Sequence, residues 1–222
     1  MTIARAKSAS ELLGVPDAPR TGRDRLVAAA VELLCRREFG AIGISQVIAT
    51  AGVTKTTFYK HFESRDDLMV AAVQQRDEWE SVAWGRALHK MAGGDPARQL
   101  LAMIDLFDFL FNDPDYHGCM FNNVAAEFPN PHDPVHQAAA AHKRRVRDHF
   151  RDLAKAAGAD ATAAETFADC FTALIEGALV LRQTLGRNDA ARVVRPAVEQ
   201  LIATYLPSLS NKDAPRRQRS RN

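Results

Sequence analysis

The stretch from Ile44 to Arg65 constrains the fold of this chain more than any other part of its sequence. Gln46–Ala51 predicts a short helix, Gly52 offers a turn position where a Cβ atom would be costly, and Thr54–Phe62 predicts a second short helix. Two short helices around a tight turn are the helix-turn-helix pattern, whose second helix enters the major groove of DNA. We therefore predict a DNA-binding head in this part of the chain.

The second predicted helix is rich in side chains that can donate hydrogen bonds to phosphates or base edges. Hydroxyl groups and an ammonium group stand at its start, and a phenol, a second ammonium group and an imidazole follow. These donors belong to Thr54, Lys55, Thr56, Thr57, Tyr59, Lys60 and His61. Phe58 and Phe62 lie one helical turn apart among them, and we predict that both are core residues of the head.

The net charge of +2 hides an uneven distribution along the chain. Residues 23–65 contain seven Lys and Arg against four Asp and Glu, whereas residues 66–206 contain fourteen against twenty. From residue 207 onward the chain is basic again, with five Lys and Arg against one Asp. A basic head beside an acidic body is typical of a protein whose head meets phosphate, although solvated faces also vary in charge by chance.

The composition is that of an ordinary globular protein, with 46% hydrophobic and 25% charged residues. No apolar run reaches the ~18 residues of a membrane span, and no charged segment leads into an apolar one as in an export signal. Three cysteines at unrelated spacings indicate free thiols in a reducing cytoplasm rather than a disulfide framework. We therefore expect a cytoplasmic protein without a membrane partner.

Helical periodicity predicts an all-α fold, because no strand pattern is long enough to compete. We divide the chain into four segments. Residues 1–20 are expected to form a flexible arm and residues 21–67 the helix-turn-helix DNA-binding domain. Residues 68–206 are expected to form a helical ligand-binding and dimerisation domain, and residues 207–222 a disordered basic tail.

Capping signatures predict where two helices of the head begin. Thr21 and Asp24 have the spacing of a capping box and predict a first helix that continues to Phe39. Ser64 and Asp67 have the same spacing and predict the start of a long helix that joins the head to the body. The head should therefore contain three helices, because neither short helix of the Ile44–Arg65 stretch is stable alone.

The body is predicted to end in two apolar helices. Ala97–Phe111, Gly118–Phe128 and Pro134–Ala156 read as helices, and Ala161–Leu185 and Asp189–Leu206 follow them. The last two are rich in Ala, Leu, Val and Ile on faces broader than a small body needs for its own core. We predict that they pair with a second copy in a homodimer, with packing within one chain as the alternative.

Three segments carry a resemblance to a known family. Residues 47–53 (VIATAGV), 54–62 (TKTTFYKHF) and 64–68 (SRDDL) resemble the head of the tetracycline-repressor (TetR-like) family of bacterial transcription regulators. Two positions depart from the family pattern: Gly43 stands where Ser or Thr is usual, and Ile48 stands where Ala is usual. Both departures can alter the angle of the second helix of the motif.

The resemblance implies a homodimer that binds double-stranded operator DNA in its free form and releases it when a small-molecule effector occupies the body. It implies that Lys55, Thr56 and Thr57 face base edges. It also implies that Tyr59, His61 and Arg65 hold phosphates. The complete predicted DNA-binding set is Ser45, Thr54, Lys55, Thr56, Thr57, Tyr59, Lys60, His61 and Arg65. Repression is the expectation for the family, and the same head can serve an activator.

The effector is predicted to bind in the body, with no cofactor and no resident metal. A small-molecule pocket combines apolar side chains with a few polar groups that orient the ligand. The candidates of both kinds are Met103, Phe107, Cys119, Met120, Asn123, Glu127, His142 and Phe171, with Phe121 beside them.

Three alternatives concern the signal or the activity. His132 and His136 are four residues apart, a spacing that can place both imidazoles on one helix face as metal ligands. Cys119, two residues after His117, is a candidate sensing thiol. Catalysis is not expected, because this Cys–His pair lacks an orienting third group and no Gly-rich phosphate loop occurs.

Overall fold

The computed structural model describes residues 8–36 and 42–206. Within these ranges the chain forms helices connected by turns and contains no strand. The helices are α1 (Ala9–Leu13), α2 (Gly22–Cys35), α3 (Ile44–Ala51), α4 (Lys55–His61), α5 (Arg65–Ala92), α6 (Pro96–Phe111), α7 (Met120–Glu127), α8 (Pro134–Ala156), α9 (Ala161–Leu185) and α10 (Ala190–Tyr205). The predicted all-α class is confirmed. None of the helices in the described part of the chain is long and apolar enough to cross a membrane.

Both predicted capping pairs are present. The Thr21 side chain accepts the Asp24 N–H at 3.1 Å, and the Asp24 carboxylate accepts the Thr21 N–H at 3.0 Å. Ser64 and Asp67 exchange the same pair of hydrogen bonds at 3.1 and 3.0 Å. Each pair satisfies two backbone donors that a helix start would otherwise leave free. The predicted end of α2 at Phe39 lies outside the described residues.

The segment predicted to be a flexible arm contains a helix, α1, that the sequence reading missed. Leu12 and Leu13 are both buried. The Ala9 N–H donates to the Asp113 carboxylate at 2.7 Å, and the Arg86 guanidinium donates to the Leu13 carbonyl at 3.4 Å. In the sequence the two leucines lie among polar residues and a proline, and this context did not predict their burial. In the folded protein, Arg86 of α5 and Asp113 of the turn after α6 contact this segment.

The first of two compact units comprises residues 1–90 and 112–146, of which residues 8–36, 42–90 and 112–146 are described. Its core contains buried side chains of α2, α3, α4 and the start of α5, among them Leu26, Phe58 and Leu68. The same core includes Met120, Phe121 and Val124 of α7. The sequence boundary predicted between residues 67 and 68 therefore separates elements that share one apolar core. That boundary stays a prediction about function.

The second compact unit comprises residues 91–111 and 147–222, of which the described part ends at residue 206. Here α10 packs against α9 and α6, and the core is rich in aromatic side chains. Phe150 and Phe171 lie edge to face with ring centroids 4.6 Å apart, and both are fully buried. The Arg182 guanidinium donates to the Phe111 carbonyl at 2.9 Å, which satisfies a carbonyl at the end of α6.

Substitution of Phe121 tests whether α7 is an integral part of the first unit. Its ring is 1% exposed, so Phe121→Ala should lower the free energy of unfolding by about 3–5 kcal/mol in urea titrations. The control is Val82→Ala on α5, where the side chain is 61% exposed and the change should be near zero. A loss below about 1 kcal/mol for Phe121→Ala would contradict this packing.

Candidate nucleic-acid interface

The turn between α3 and α4 has the geometry that the sequence predicted. Gly52 follows α3 with φ 60° and ψ 40°, a left-handed conformation that glycine adopts without the steric cost of a Cβ atom. Thr54 then caps α4, because its side chain accepts the Thr57 N–H at 3.1 Å. The Arg25 guanidinium of α2 lies 3.5 Å from the Gly52 carbonyl and connects the turn to the helix that precedes the motif.

Helix α4 is divided into a buried and an exposed face. Phe58 is fully buried and Phe62 is 5% exposed, as predicted, and their rings contact each other at 6.0 Å. Most of the predicted donors lie on the opposite, solvent-facing side. The exposed residues are Thr54, Lys55, Thr56, Tyr59, Lys60 and His61, together with Ser45 in the first turn of α3. The two phenylalanines thus anchor the helix while the donor groups face outward.

Lys55 and Tyr59 form a pair on the exposed face. The Lys55 ammonium lies 5.9 Å from the centroid of the Tyr59 ring, within the range of a weak cation–π contact. Tyr59 is 54% exposed, which is unusual for so large an aromatic side chain. An exposed phenol beside an ammonium group is suited to a surface that meets phosphate and base edges.

Thr57, predicted to face base edges, is half-buried and engaged inside the head. Its hydroxyl lies 2.9 Å from the Thr54 hydroxyl. Its methyl group faces Gly22 so closely that a Cβ atom on Gly22 would lie only 2.8 Å from it. Gly22 therefore allows α2 and α4 to approach, and no local sequence pattern indicated this contact.

Arg65, predicted to hold a phosphate, contacts other parts of the protein. Its Nε donates to the Ile42 carbonyl at 2.8 Å, and its Nη2 lies 3.5 Å from the Glu127 carboxylate. The guanidinium carbon also lies 5.5 Å from the centroid of the Phe128 ring. A phosphate contact by Arg65 stays a prediction, and it would have to compete with these partners.

Arg23 and Arg25 are basic residues of the head that the sequence reading did not select. Both are exposed in the first turn of α2, and the Arg23 guanidinium lies 5.3 Å from the centroid of the Phe62 ring. Cations are unfavourable at a helix N-terminus because of the helix dipole. A cation in the first turn of a predicted helix is the sequence signal that could have identified both residues.

The predicted effector-binding residues belong to both compact units. Met103, Phe107 and Phe171 are buried in the second unit. In the first unit Met120, Asn123 and His142 are buried, and Cys119 and Glu127 are half-buried. Burial alone is equally expected of ordinary core residues, so the pocket stays a prediction.

His142 belongs to a buried polar cluster in the first unit. Its Nδ1 lies 2.8 Å from the Asp77 carboxylate, which also receives the Arg145 guanidinium at 2.5 Å. The imidazole stacks on Phe121 with ring centroids 3.4 Å apart. Burial lowers the pKa of His142, and the carboxylates of Glu80 and Asp77 oppose that shift.

The residues predicted to bind a metal ion and the thiol predicted to sense electrophiles belong to different segments of the chain. His132 is exposed ahead of α8, and the Nδ1 of His136 lies 2.7 Å from the Phe128 carbonyl. Residues 8–36 and 42–206 contain no group of three or more His, Cys, Asp or Glu side chains placed to hold a metal ion. Cys119 precedes α7, and the Lys143 ammonium donates to its sulfur at 3.4 Å.

A two-helix motif on an apolar core, with basic and hydroxyl side chains on the exposed face of its second helix, defines a helix-turn-helix DNA-binding protein. Comparison with known proteins agrees with this class. Residues 26–72 match the family described as bacterial regulatory proteins, tetR family, and residues 96–198 match the tetracyclin repressor-like C-terminal domain. The chain belongs to the TetR family of DNA-binding transcriptional regulators.

Individual relatives are distant. The HTH-type transcriptional activator FasR of Mycolicibacterium smegmatis is 29% identical over 101 residues, which span 46% of this chain and 46% of FasR. The HTH-type transcriptional regulator LmrA of Bacillus subtilis is 23% identical over 182 residues, which span 81% of this chain and 96% of LmrA. The crystal structure of SCO4454, a TetR-family regulator from Streptomyces coelicolor, matches with a TM-score of 0.74 and 25% identity, covering 85% of this chain and 91% of SCO4454.

The close contact between Gly22 and Thr57 can be tested by adding a methyl group at Gly22. In Gly22→Ala the new methyl group would lie 2.8 Å from the Thr57 methyl, and Thr57 cannot turn away without losing its contact with Thr54. Relieving that overlap should displace α4 at a cost of about 1–3 kcal/mol and weaken DNA binding roughly tenfold, as measured by fluorescence anisotropy.

Two further variants control this experiment. Thr57→Ser removes the opposing methyl group, so Gly22→Ala combined with Thr57→Ser should bind DNA as tightly as Thr57→Ser alone. Gly85→Ala places a methyl group in open space on α5 and should leave DNA binding unchanged. Equal weakening by Gly22→Ala with and without Thr57→Ser would show that this contact does not position α4.

Proposed function

We propose that this regulator is a homodimeric repressor that binds a near-palindromic operator and releases it when a small molecule occupies its body. The observation that carries the proposal is the exposed donor surface of α4, held in place by the buried Phe58 and Phe62. Hydrogen-bond donors on a helix anchored from behind can enter a major groove without refolding. The protein acts by binding, catalyses no reaction, and works in the cytoplasm with the DNA it controls.

Base and phosphate contacts are divided along α4. Lys55 and Thr56 stand in the first turn, where an ammonium group can pair with guanine O6 and N7 and a threonine methyl can meet a thymine methyl. Tyr59, Lys60 and His61 follow towards the end of the helix and are assigned to phosphates. Ser45 adds a hydroxyl group from the exposed side of α3.

Dimerisation is assigned to the exposed faces of α9 and α10. Val180 and Leu185 on α9 are 53% and 67% exposed, and Val193 on α10 is 43% exposed. Cys170, Ala173 and Gly177 are small uncharged residues that continue the exposed stripe of α9. A second copy can cover such a surface without burying an unpaired charge. To bind two successive major grooves, a dimer needs its two α4 helices about 34 Å apart.

The effector is assigned to the helical body, on the strength of the match to the tetracyclin repressor-like C-terminal domain. An effector that prefers the conformation unable to bind DNA would shift the population away from the operator. Because FasR is named an activator, the direction of control must be measured with a reporter gene placed downstream of the operator. Higher expression when the protein is absent would support repression, and lower expression would overturn it.

One contact favours a thiol as the sensor. The Lys143 ammonium, 3.4 Å from the Cys119 sulfur, would stabilise a thiolate and thereby favour reaction with electrophiles. If Cys119 senses such compounds, iodoacetamide should release the wild-type protein from DNA and leave Cys119→Ser bound. Release of both proteins, or of neither, would leave organic-ligand binding as the mechanism.

The division of roles along α4 predicts different effects for two lysines on the same exposed face. The operator is first obtained by selecting bound fragments from a random duplex library. Lys55→Ala should then lose about 1–3 kcal/mol of discrimination between operator and random duplex. Lys60→Ala should weaken both duplexes alike and reduce the slope of log K against log salt by about one. Equal loss of discrimination in both variants would contradict these assignments.

The proposed interface predicts that a charge on α9 separates the subunits. Val180→Lys should make the protein monomeric in sedimentation velocity experiments at micromolar concentration, because the ammonium group would be buried without a partner. Val82→Lys, at a similarly exposed valine of α5, is the matched control and should remain dimeric. A dimeric Val180→Lys protein, or a monomeric wild type, would place the interface elsewhere or exclude it.

A further inference from the structure

Arg65 connects two elements that are far apart in sequence. It is the first residue of α5, and its Nε donates to the Ile42 carbonyl at 2.8 Å. On its other side, Nη2 lies 3.5 Å from the Glu127 carboxylate at the end of α7. Each contact is made by a different nitrogen of one planar guanidinium, so the two partners are held in a defined geometry.

The Ile42 side of this connection leads directly to the helix-turn-helix motif. Ile42 is 1% exposed and precedes Gly43, whose carbonyl accepts the Gln46 N–H at 3.0 Å and the Val47 N–H at 3.2 Å. Gly43 has no side chain with which to cap α3. The bond from Arg65 therefore holds the backbone at a helix start that lacks the usual side-chain cap.

The Glu127 side leads to α7. Met120, Phe121 and Val124 of this helix lie in the apolar core of the first unit. The Glu127 side chain is 21% exposed, and Phe128, the C-cap of α7, packs under the guanidinium with its ring centroid 5.5 Å away. A half-buried ion pair over an aromatic ring is screened less by solvent than an exposed pair.

Arg65 already has carboxylate partners within the protein. Besides Glu127, the Asp66 carboxylate lies 3.6 Å from Nη1, so two carboxylates offset part of the guanidinium charge. Its side chain is 32% exposed, in contrast to the exposed Lys55 and Lys60 on α4. A guanidinium in this setting is better suited to holding protein elements together than to binding a phosphate.

We propose that Arg65 is a positioning residue that couples the end of α7 to the start of α3, with Glu127 and the Ile42 carbonyl as its two anchors. Displacement of Glu127 releases the guanidinium, loosens the backbone at Ile42, and lowers DNA affinity without removing a DNA contact. This inference rests on the proposed DNA-binding function of the motif.

The test compares Glu127→Gln with Glu63→Gln, because both changes remove one negative charge and Glu63 is exposed in the loop between α4 and α5. Glu127→Gln should weaken operator binding about five- to tenfold, at the lower end of the usual coupling between sites, with an unchanged salt slope. Glu63→Gln should bind as tightly as the wild type or more tightly. Amide hydrogen exchange should accelerate over residues 44–51 in Glu127→Gln and remain unchanged over residues 161–185.

Arg65→Lys separates positioning from phosphate binding. A lysine retains the charge, but a single ammonium group cannot reproduce the two-sided geometry of the guanidinium. Arg65→Lys should therefore bind as weakly as Arg65→Ala, both with the wild-type salt slope. Adding Glu127→Gln to Arg65→Ala should cause no further loss, because the connection is already broken.

The opposite pattern would overturn the proposal. In that pattern Arg65→Lys binds nearly as tightly as the wild type, Arg65→Ala has a salt slope reduced by about one, and Glu127→Gln loses no affinity. These results together would make Arg65 a phosphate contact. If Arg65→Ala does not fold, Arg65→Lys and Glu127→Gln still decide between the two roles. Failure of the wild type to prefer any duplex would refute the proposed function instead.

Discussion

The structure of the head depends on the burial of a few large apolar side chains between helices that are too short to be stable alone. Helix α3 has eight residues and α4 has seven. Isolated helices shorter than about 12–15 residues are marginal in water because nucleation is costly. Their stability must come from packing, and Val47, Phe58 and Phe62 supply it by joining a core built on Leu26, Leu33 and Leu68. The longer α2 and α5 are the supports on which the motif is assembled.

The same burial decides which side chains of α4 face solvent. Phe58 and Phe62 are one turn apart, so their common face is inside and the faces of Lys55, Tyr59 and Lys60 are outside. Local hydrogen bonds refine this division without creating it. The Thr54 cap and the left-handed Gly52 determine where the helix starts, and the close approach of Thr57 to Gly22 determines how near α4 lies to α2. Recognition by such a head depends on these buried contacts as much as on the exposed donors.

Helix α7 gives the motif a connection to a distant part of the sequence. Its apolar side chains complete the core of the first unit, and its last residue, Glu127, reaches Arg65. A packed core transmits displacement because it is dense and has few voids. Arg65 adds a directional, charge-assisted contact at the edge of that core. Such an arrangement makes the position of α3 dependent on residues that are not part of the helix-turn-helix sequence.

The sequence alone determined the helical class, most helix boundaries and the character of the motif, because these depend on interactions within a few residues of each other. Thr21 with Asp24, Ser64 with Asp67, and Gly52 all act locally, and their signals were readable. Family membership was readable for the same reason. The assignment of individual donors to bases, phosphates or an effector remains a prediction.

Only the tertiary structure decided the contacts between distant residues. No local signal reveals that Leu12 and Leu13 are buried, that Thr57 abuts Gly22, or that Arg65 turns towards Ile42 and Glu127. A guanidinium at a helix start looks the same in sequence whether its partner is a phosphate or a carboxylate 62 residues away. The choice depends on which groups the fold brings within hydrogen-bonding distance, and the packing of α7 against the head makes that choice.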